Sequence, residues 1–278
     1  MTHPFRFSAS LGGLDTADLV TSAQRAEELG FNTVTLPDHF TDQPAPLIGL
    51  TAAAIATTTL RVLPLVLAND YREPMVLAKE LASIDALSGG RLEFGLGAGW
   101  MITDYEQAGI RYDSPGMRIR RLSESVDILR ALLAGDEVTI DSEFYSITGS
   151  LSAPLPVQAG GIPLMLAGGK QKMLTLAGEK ADIVGFNPGL TAGVIDERAG
   201  RTATAEKTDQ KLDWISDGAG TRLDSIELQT RIHLTMITDD RDKVAAELAP
   251  LLGITPDEAL ESPHALVGST QQCIDEVQ

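Results

Sequence analysis

A single cysteine, Cys273, stands in a chain of 278 residues. That scarcity excludes an internal disulfide framework and any cysteine-rich zinc site. Basic residues are also few, with 22 lysines and arginines against 39 aspartates and glutamates and a formal net charge of -17. A surplus of that sign repels nucleic acid and anionic membranes as bulk surfaces, so neither is expected as a partner. An anionic small molecule would need a local nest of backbone N–H groups or a few placed cations. No apolar run approaches the roughly 20 residues of a membrane span. The opening MTHPFRFSAS has no cationic stretch followed by an apolar one, so no signal peptide and a cytoplasmic location are expected. There is no H-x-H, no H-E-x-x-H and no G-x-S-x-G, hence no expected metal and no expected serine nucleophile.

What is present is ordinary for a globular enzyme. The chain is 43% hydrophobic and 22% charged, with 26 glycines and 14 prolines, which excludes disorder and coiled coil. The length suits one large α/β barrel or two modest domains.

Apolar runs of the kind found in buried parallel strands open near Phe5 (PFRFSAS), Val34 (TVTLPDH), Val62 (RVLPLVLA) and Leu92 (RLEFGLGAGW). Their starts are about 28 to 30 residues apart, the spacing of repeated βα units. Between them lie helical stripes: Leu19, Ala23, Ala26 and Leu29, then Leu77, Leu81, Ile84 and Leu87. Asp15 or Thr16 can cap the first helix and Gly30 can end it; Pro74 opens the other and Gly89-Gly90 stops it. A long helix is predicted from Pro115 to Ala134, with Leu122, Val126, Leu129 and Leu133 on one side, followed by a small hairpin turning at Asp141-Ser142-Glu143. Further strands are predicted at 163–168, 182–187 and 227–238. The polar stretch 189–225 reads as a long, partly helical excursion with the character of a mobile lid. Seven strands result and no convincing eighth, so a barrel would be open here or the chain truncated. The closing STQQCIDEVQ reads as a helix.

In such barrels the working groups lie at the C-terminal strand ends. His39 follows the second strand beside a carboxylate, where imidazole can move a proton or hydrogen-bond a ring, with Asp38 fixing its orientation. The plainer alternative is a structural Asp-His pair capping the strand. His233 lies within a predicted strand and faces either the lumen or the helices, burial being the plainer reading; His3 and His264 read as surface residues. Gly168-Gly169-Lys170 is a glycine pair opening a helix with a cation in its first turn, a natural phosphate cradle, although it is not a Walker A loop and a packing turn would look the same. GLGAGW fails the dinucleotide fingerprint because Trp100 stands at its third glycine. Its alternating glycines bare one face of the strand end, for a flat ring or for core packing.

The run ANDYREPMVLAKELASIDALSGGRLEFGLGAGWMITDYEQAGI (68–110) resembles the luciferase-like monooxygenase superfamily, and in particular its actinobacterial branch that uses the deazaflavin coenzyme F-420. RAEELGFNTVTLPDHF (25–40), MRIRRLSESVDILRALLAG (117–135), PLMLAGGKQKMLTLAGEKADIVGFNP (163–188) and SPHALVGSTQQCIDEV (262–277) fit as well, the last being similar to the family's late helix. The likeness covers nearly the whole chain. It implies an α/β fold, a luciferase-like (β/α)8 TIM barrel as a single domain over 1–278, with 100–160 and 189–226 as longer loop regions.

The resemblance also implies an F-420-dependent oxidoreductase that moves a hydride between deazaflavin C5 and a small organic substrate, with His39 as the catalytic proton carrier. Asp38 and His39 match the pair facing the deazaflavin in the sugar phosphate dehydrogenases of the family. Leu65-Val66 approximates the family's non-proline cis peptide behind the ring, with Pro64 leaving the register open by one residue. Asn69, Gly97, Ala98 and Gly99 would line the ring, and Gly168, Gly169 and Lys170 would hold the phosphate. Trp100 stands where those dehydrogenases carry a proton-donating glutamate, which points away from glucose 6-phosphate and toward an apolar or aromatic substrate, with Trp100 and His233 on the substrate side. A homodimer is compatible with the resemblance, without a surface marked for it. The competing readings are a reduced-FMN monooxygenase using dioxygen and a non-catalytic binding barrel.

Overall fold

The computed structural model describes residues 5–190 and 197–277. Two compact units arise from the contacts, the first comprising Met1–Gly99 and Thr103–Leu166, the second Trp100–Ile102 and Ala167–Gln278. No helix among the described residues is long and apolar enough to cross a membrane.

The first unit alternates strand and helix: β1 (Ser8–Ser10), α1 (Leu19–Glu28), β2 (Thr33–Leu36), α2 (Pro46–Ala56), β3 (Arg61–Pro64), β4 (Leu67–Ala68), α3 (Pro74–Ser88), β5 (Phe94–Gly97), α4 (Ile102–Ala108), α5 (Pro115–Ala134), β6 (Val138–Asp141), β7 (Ser146–Ser150) and the start of β8 (Leu164–Gly168). Strands β1, β2 and β3 pair in parallel, as do β4, β5 and β8, and a parallel bridge between Val62 and Leu92 joins the two runs. Every residue of β2 and of β5 is buried. That is why their sequences are continuous apolar runs with no polar alternation. The helices start and stop where their sequence signals stand. Asp15 accepts from the Ala17 amide, Pro74 is the first residue of α3, and Gly89 closes it at φ 65°. The hairpin β6–β7 is antiparallel as expected.

Two expectations shift here. Phe5 and Phe7, read as the first strand's apolar residues, are solvent-exposed and stacked on each other, and β1 itself is the polar Ser8–Ser10. Leu29 and Leu87, the last members of their stripes, are also exposed, because each sits at the terminus of its helix where the stripe has turned off the core. Leu122, Val126, Leu129 and Leu133 of α5 are buried as predicted.

The second unit holds the end of β8, α6 (Gln171–Lys180), β9 (Ile183–Phe186), α7 (Glu197–Gly200), α8 (Ala205–Ala219), β10 (Glu227–Thr230), β11 (Leu234–Ile237), α9 (Arg241–Leu252), α10 (Pro256–Leu260), β12 (Ala265–Gly268) and α11 (Thr270–Val277). The predicted strand 227–238 is therefore two strands, β10 pairing with β9 and β11 with β12, all in parallel. Strand β12 corrects the expectation of a missing eighth strand. Together with α11 it is a further βα unit inside the segment 262–277 that was read as helix alone. The excursion 189–225 is largely helical in α7 and α8; its residues 191–196, with whatever lid character the sequence suggested there, lie outside the described residues, as does His3.

Candidate active site

Asp38 and His39 follow β2 after Pro37. They find different partners. Both carboxylate oxygens of Asp38 are taken by the Arg72 guanidinium, at 2.6 and 3.1 Å, and Oδ2 also accepts the Ala68 amide at 3.0 Å. Asp38 is therefore a buried clamp between the end of β2 and the turn after β4. This corrects the expectation that Asp38 orients His39: the carboxylate that meets the imidazole is Asp104, whose Oδ2 lies 2.7 Å from His39 Nδ1.

Asp104, in α4, is 2% exposed. Its Oδ1 accepts the Phe40 amide at 3.4 Å. Burial first, and then the carboxylates of Asp104, Asp38 and Asp70, push the nearby Tyr71 phenol well above its ordinary range, so it stays protonated. Burial and Asp70 do the same to Tyr105, whose hydroxyl donates to Asp70 Oδ2 at 3.0 Å. Arg121 bridges Asp70, at 2.9 Å, and Asp113. The rings of Phe40, Tyr71, Tyr105 and Tyr112 run in series with centroids 5.1, 5.4 and 4.8 Å apart, and Arg118 covers Tyr112 at 3.9 Å. Asp104, Tyr105, Tyr112 and Asp113 were not singled out from sequence. The available signal was an acid in the first turn of the short helix after the glycine-rich strand.

The glycines of GLGAG are explained by protein packing. A Cβ on Gly95 would stand 2.5 Å from the Pro64 carbonyl, one on Gly97 2.7 Å from Val66 Cγ2, and one on Gly99 1.8 Å from the Tyr105 hydroxyl. The bared strand face is thus filled by Val66 and Tyr105. The Leu65–Val66 peptide is cis, in the register the resemblance implied. Asn69 is buried and donates to the Tyr145 hydroxyl at 3.2 Å, while the Ala98 carbonyl accepts Arg118 Nε at 3.0 Å.

In the second unit, β8 ends at Gly168, and Lys170 stands at the N-cap of α6 with extended backbone and no side-chain cap. A Cβ on Gly168 would stand 2.4 Å from Met173 Cγ, and one on Gly169 2.5 Å from the Pro188 carbonyl. The glycine pair is needed for packing, and it leaves an uncapped helix N-terminus beside an exposed lysine, the donor set an anion takes. Trp100, half-buried, belongs to this unit with Met101 and Ile102. His233 lies in the break between β10 and β11 rather than inside a strand, and is exposed. Its ring centroid is 5.7 Å from that of His264.

His264, read as a surface residue, is only 4% exposed. Its Nδ1 lies 3.1 Å from the Arg231 carbonyl and 3.2 Å from Thr230 Oγ1, which places the proton on Nδ1 because a carbonyl only accepts. Nε2 is then a buried lone pair with no hydrogen-bond partner among the described residues. Burial pushes the imidazole down to about 4. The unfolded chain binds that proton near pH 6.5, so stability is unaffected above this value and falls as pH drops from about 6.5 to about 4. The loss should approach ~3 kcal/mol in denaturant titrations across that window. His264→Gln should flatten that slope; an unchanged slope in the variant would assign the acid sensitivity elsewhere.

The model of a family described as luciferase-like monooxygenase matches residues 1–278. Among characterised proteins, the chain is similar to a 5,10-methylenetetrahydromethanopterin reductase of Archaeoglobus fulgidus, 33% identical over 162 residues that cover 58% of this chain and 46% of that one. It is also similar to an F-420-dependent glucose-6-phosphate dehydrogenase of Nocardia farcinica, 29% identical over 246 residues, covering 84% and 69%. With the first of these relatives the match spans about half of their length. A solved structure of an F-420-dependent secondary alcohol dehydrogenase with an F-420–acetone adduct superposes with a TM-score of 0.78 at 20% identity, covering 100% of this chain and 89% of that one. The last likeness shows the fold, an α/β chain of the luciferase-like (β/α)8 class.

Proposed function

The chain belongs to the luciferase-like monooxygenase family, and from that membership we propose that it is an oxidoreductase using coenzyme F-420 to move a hydride to or from a small organic substrate. One observation carries the reading. The strand-end imidazole of His39, 21% exposed, rests on the nearly buried carboxylate of Asp104 at 2.7 Å, the arrangement of a proton carrier held in one orientation. The names of the relatives from Archaeoglobus fulgidus and Nocardia farcinica support the redox class.

A bound deazaflavin supplies the hydride acceptor or donor. The chain's own residues do the rest. His39 takes or returns the substrate proton at the ring nitrogen turned away from Asp104. Gly168, Gly169 and Lys170 offer backbone donors and a cation to the cofactor's phosphate, and the uncapped start of α6 fits such a group. Leu65, Val66, Asn69 and Ala98 would stand toward the ring at the first unit's strand ends, Gly97 and Gly99 make room there for Val66 and Tyr105, and Asp38 holds that end of β2 in place. Trp100 and His233 belong to the substrate side. An indole there favours an apolar or aromatic substrate over a sugar phosphate.

Side-by-side titrations with oxidised F-420 and FMN, followed by fluorescence quenching, test this. Micromolar binding of the deazaflavin is expected, weakened at least tenfold by Lys170→Ala, since one charge-assisted hydrogen bond contributes about 1.5 to 3 kcal/mol. A preference for FMN would replace the reading by a reduced-FMN monooxygenase. Binding of neither would leave a non-catalytic barrel.

A further inference from the structure

We propose that Asp104 is a positioning residue that fixes the tautomer of His39, so that Nδ1 is a permanent donor and proton exchange takes place at Nε2. The inference rests on the reading of His39 as the proton carrier, and it goes beyond that reading by assigning the residue that sets its chemistry.

The argument is one of donors and acceptors. An ionised carboxylate accepts only. Asp104 is 2% exposed and meets the Phe40 amide, which can only donate, and His39 Nδ1. The Tyr71 phenol, kept protonated by burial and by the carboxylates of Asp104, Asp38 and Asp70, stands near the same carboxylate. An ionised carboxylate that already takes an amide leaves the imidazole one compatible role, N–H on Nδ1 pointing at Oδ2 across 2.7 Å. The lone pair that can take a proton, or the N–H that can give one, is then at Nε2. Asp104 is also fixed in place. It stands in the first turn of α4, and its neighbour Tyr105 is tied to Asp70, which is tied in turn to Arg121. The imidazole therefore meets a carboxylate whose own position is held by two further contacts.

Asp104→Asn tests the assignment because it keeps the shape and removes the acceptor-only character. An amide there can donate to Nδ1 and drive the proton to Nε2. Long-range 15N–1H correlation spectra of His39 should show Nδ1–H in the native protein and Nε2–H in the variant. With F-420 and a working substrate, kcat should fall ~10²- to 10⁴-fold, as an imidazole in the wrong tautomer does in other enzymes, with cofactor KM within about threefold. The double variant His39→Gln/Asp104→Asn should be no slower than His39→Gln alone.

An unchanged tautomer in Asp104→Asn overturns the proposal whatever the activity, and so does a switched tautomer with unchanged kcat. Should Asp104→Asn not fold, the native spectrum decides by itself: Nε2–H in the native protein overturns the proposal, and Nδ1–H supports it. A switched tautomer in a protein that turns over no F-420 at all would sink the proposed activity and leave the structural assignment of Asp104 standing.

Discussion

His39→Gln should cut kcat for F-420-linked turnover by ~10²- to 10⁴-fold, the range over which a positioned proton carrier acts, with F-420 affinity changed less than threefold. Glutamine is the informative replacement because its amide can still donate to Asp104, so the strand end keeps its packing while losing a group that exchanges a proton. The other described histidines do not offer the same chemistry. His264 Nε2 is sealed from solvent and its imidazole is held neutral by burial, and His233 stands in a strand break where no carboxylate among the described residues pairs with its ring. Thermal unfolding of His39→Gln should match the native protein within a few degrees. A variant that retains more than a tenth of the native kcat would reduce His39 to a strand-end structural residue and remove the main support for the proposed chemistry.

The parts of the fold that could be read from sequence are those in which a residue's surroundings follow from its neighbours in the chain. Strands β2 and β5 are buried on both faces, so their apolar character is unbroken and visible. Strand β12 escaped because it is four residues long, Ala265 and Leu266 are only half-buried, and it is flanked by His264 and Ser269, leaving too short a run to stand out. Strand β1 was displaced by the exposed Phe5 and Phe7, apolar residues that no element among the described residues covers.

In the site, His39 was legible from its place after a strand, whereas its partner was not. Asp104 lies 65 residues further on and reaches His39 only through the fold. Adjacency in sequence suggested Asp38 instead, but both of its oxygens go to Arg72, thirty-four residues further on. The alternating glycines were seen, but their cause was not. Whether Gly97 faces a ligand or Val66 depends on a contact across about thirty residues that no local pattern encodes.

Arg72→Met should destabilise the protein by about 3 to 5 kcal/mol, the cost of leaving a buried carboxylate without its cation. Asp38 is 8% exposed and its side chain is matched by a guanidinium on both oxygens, so removing Arg72 leaves a charge with, among the described residues, the Ala68 amide alone donating to it. The reverse variant, Asp38→Leu, should cost less, because the Arg72 side chain, 20% exposed, can turn toward water. The double variant Asp38→Leu/Arg72→Met should recover most of the loss, since a buried pair replaced on both sides by apolar groups is often nearly neutral. Denaturant titrations at pH 7 give all corners of that cycle with an unchanged m-value if only stability has moved. The pair also ties the end of β2 to the turn after β4, immediately before His39 and after the cis Leu65–Val66 peptide. Activity in Arg72→Met should therefore fall together with stability, whereas the double variant should regain stability and leave His39 on Asp104. A loss below about 1 kcal/mol in Arg72→Met would mean that solvent screens the pair, and the clamp would then have no claim on the geometry of the site.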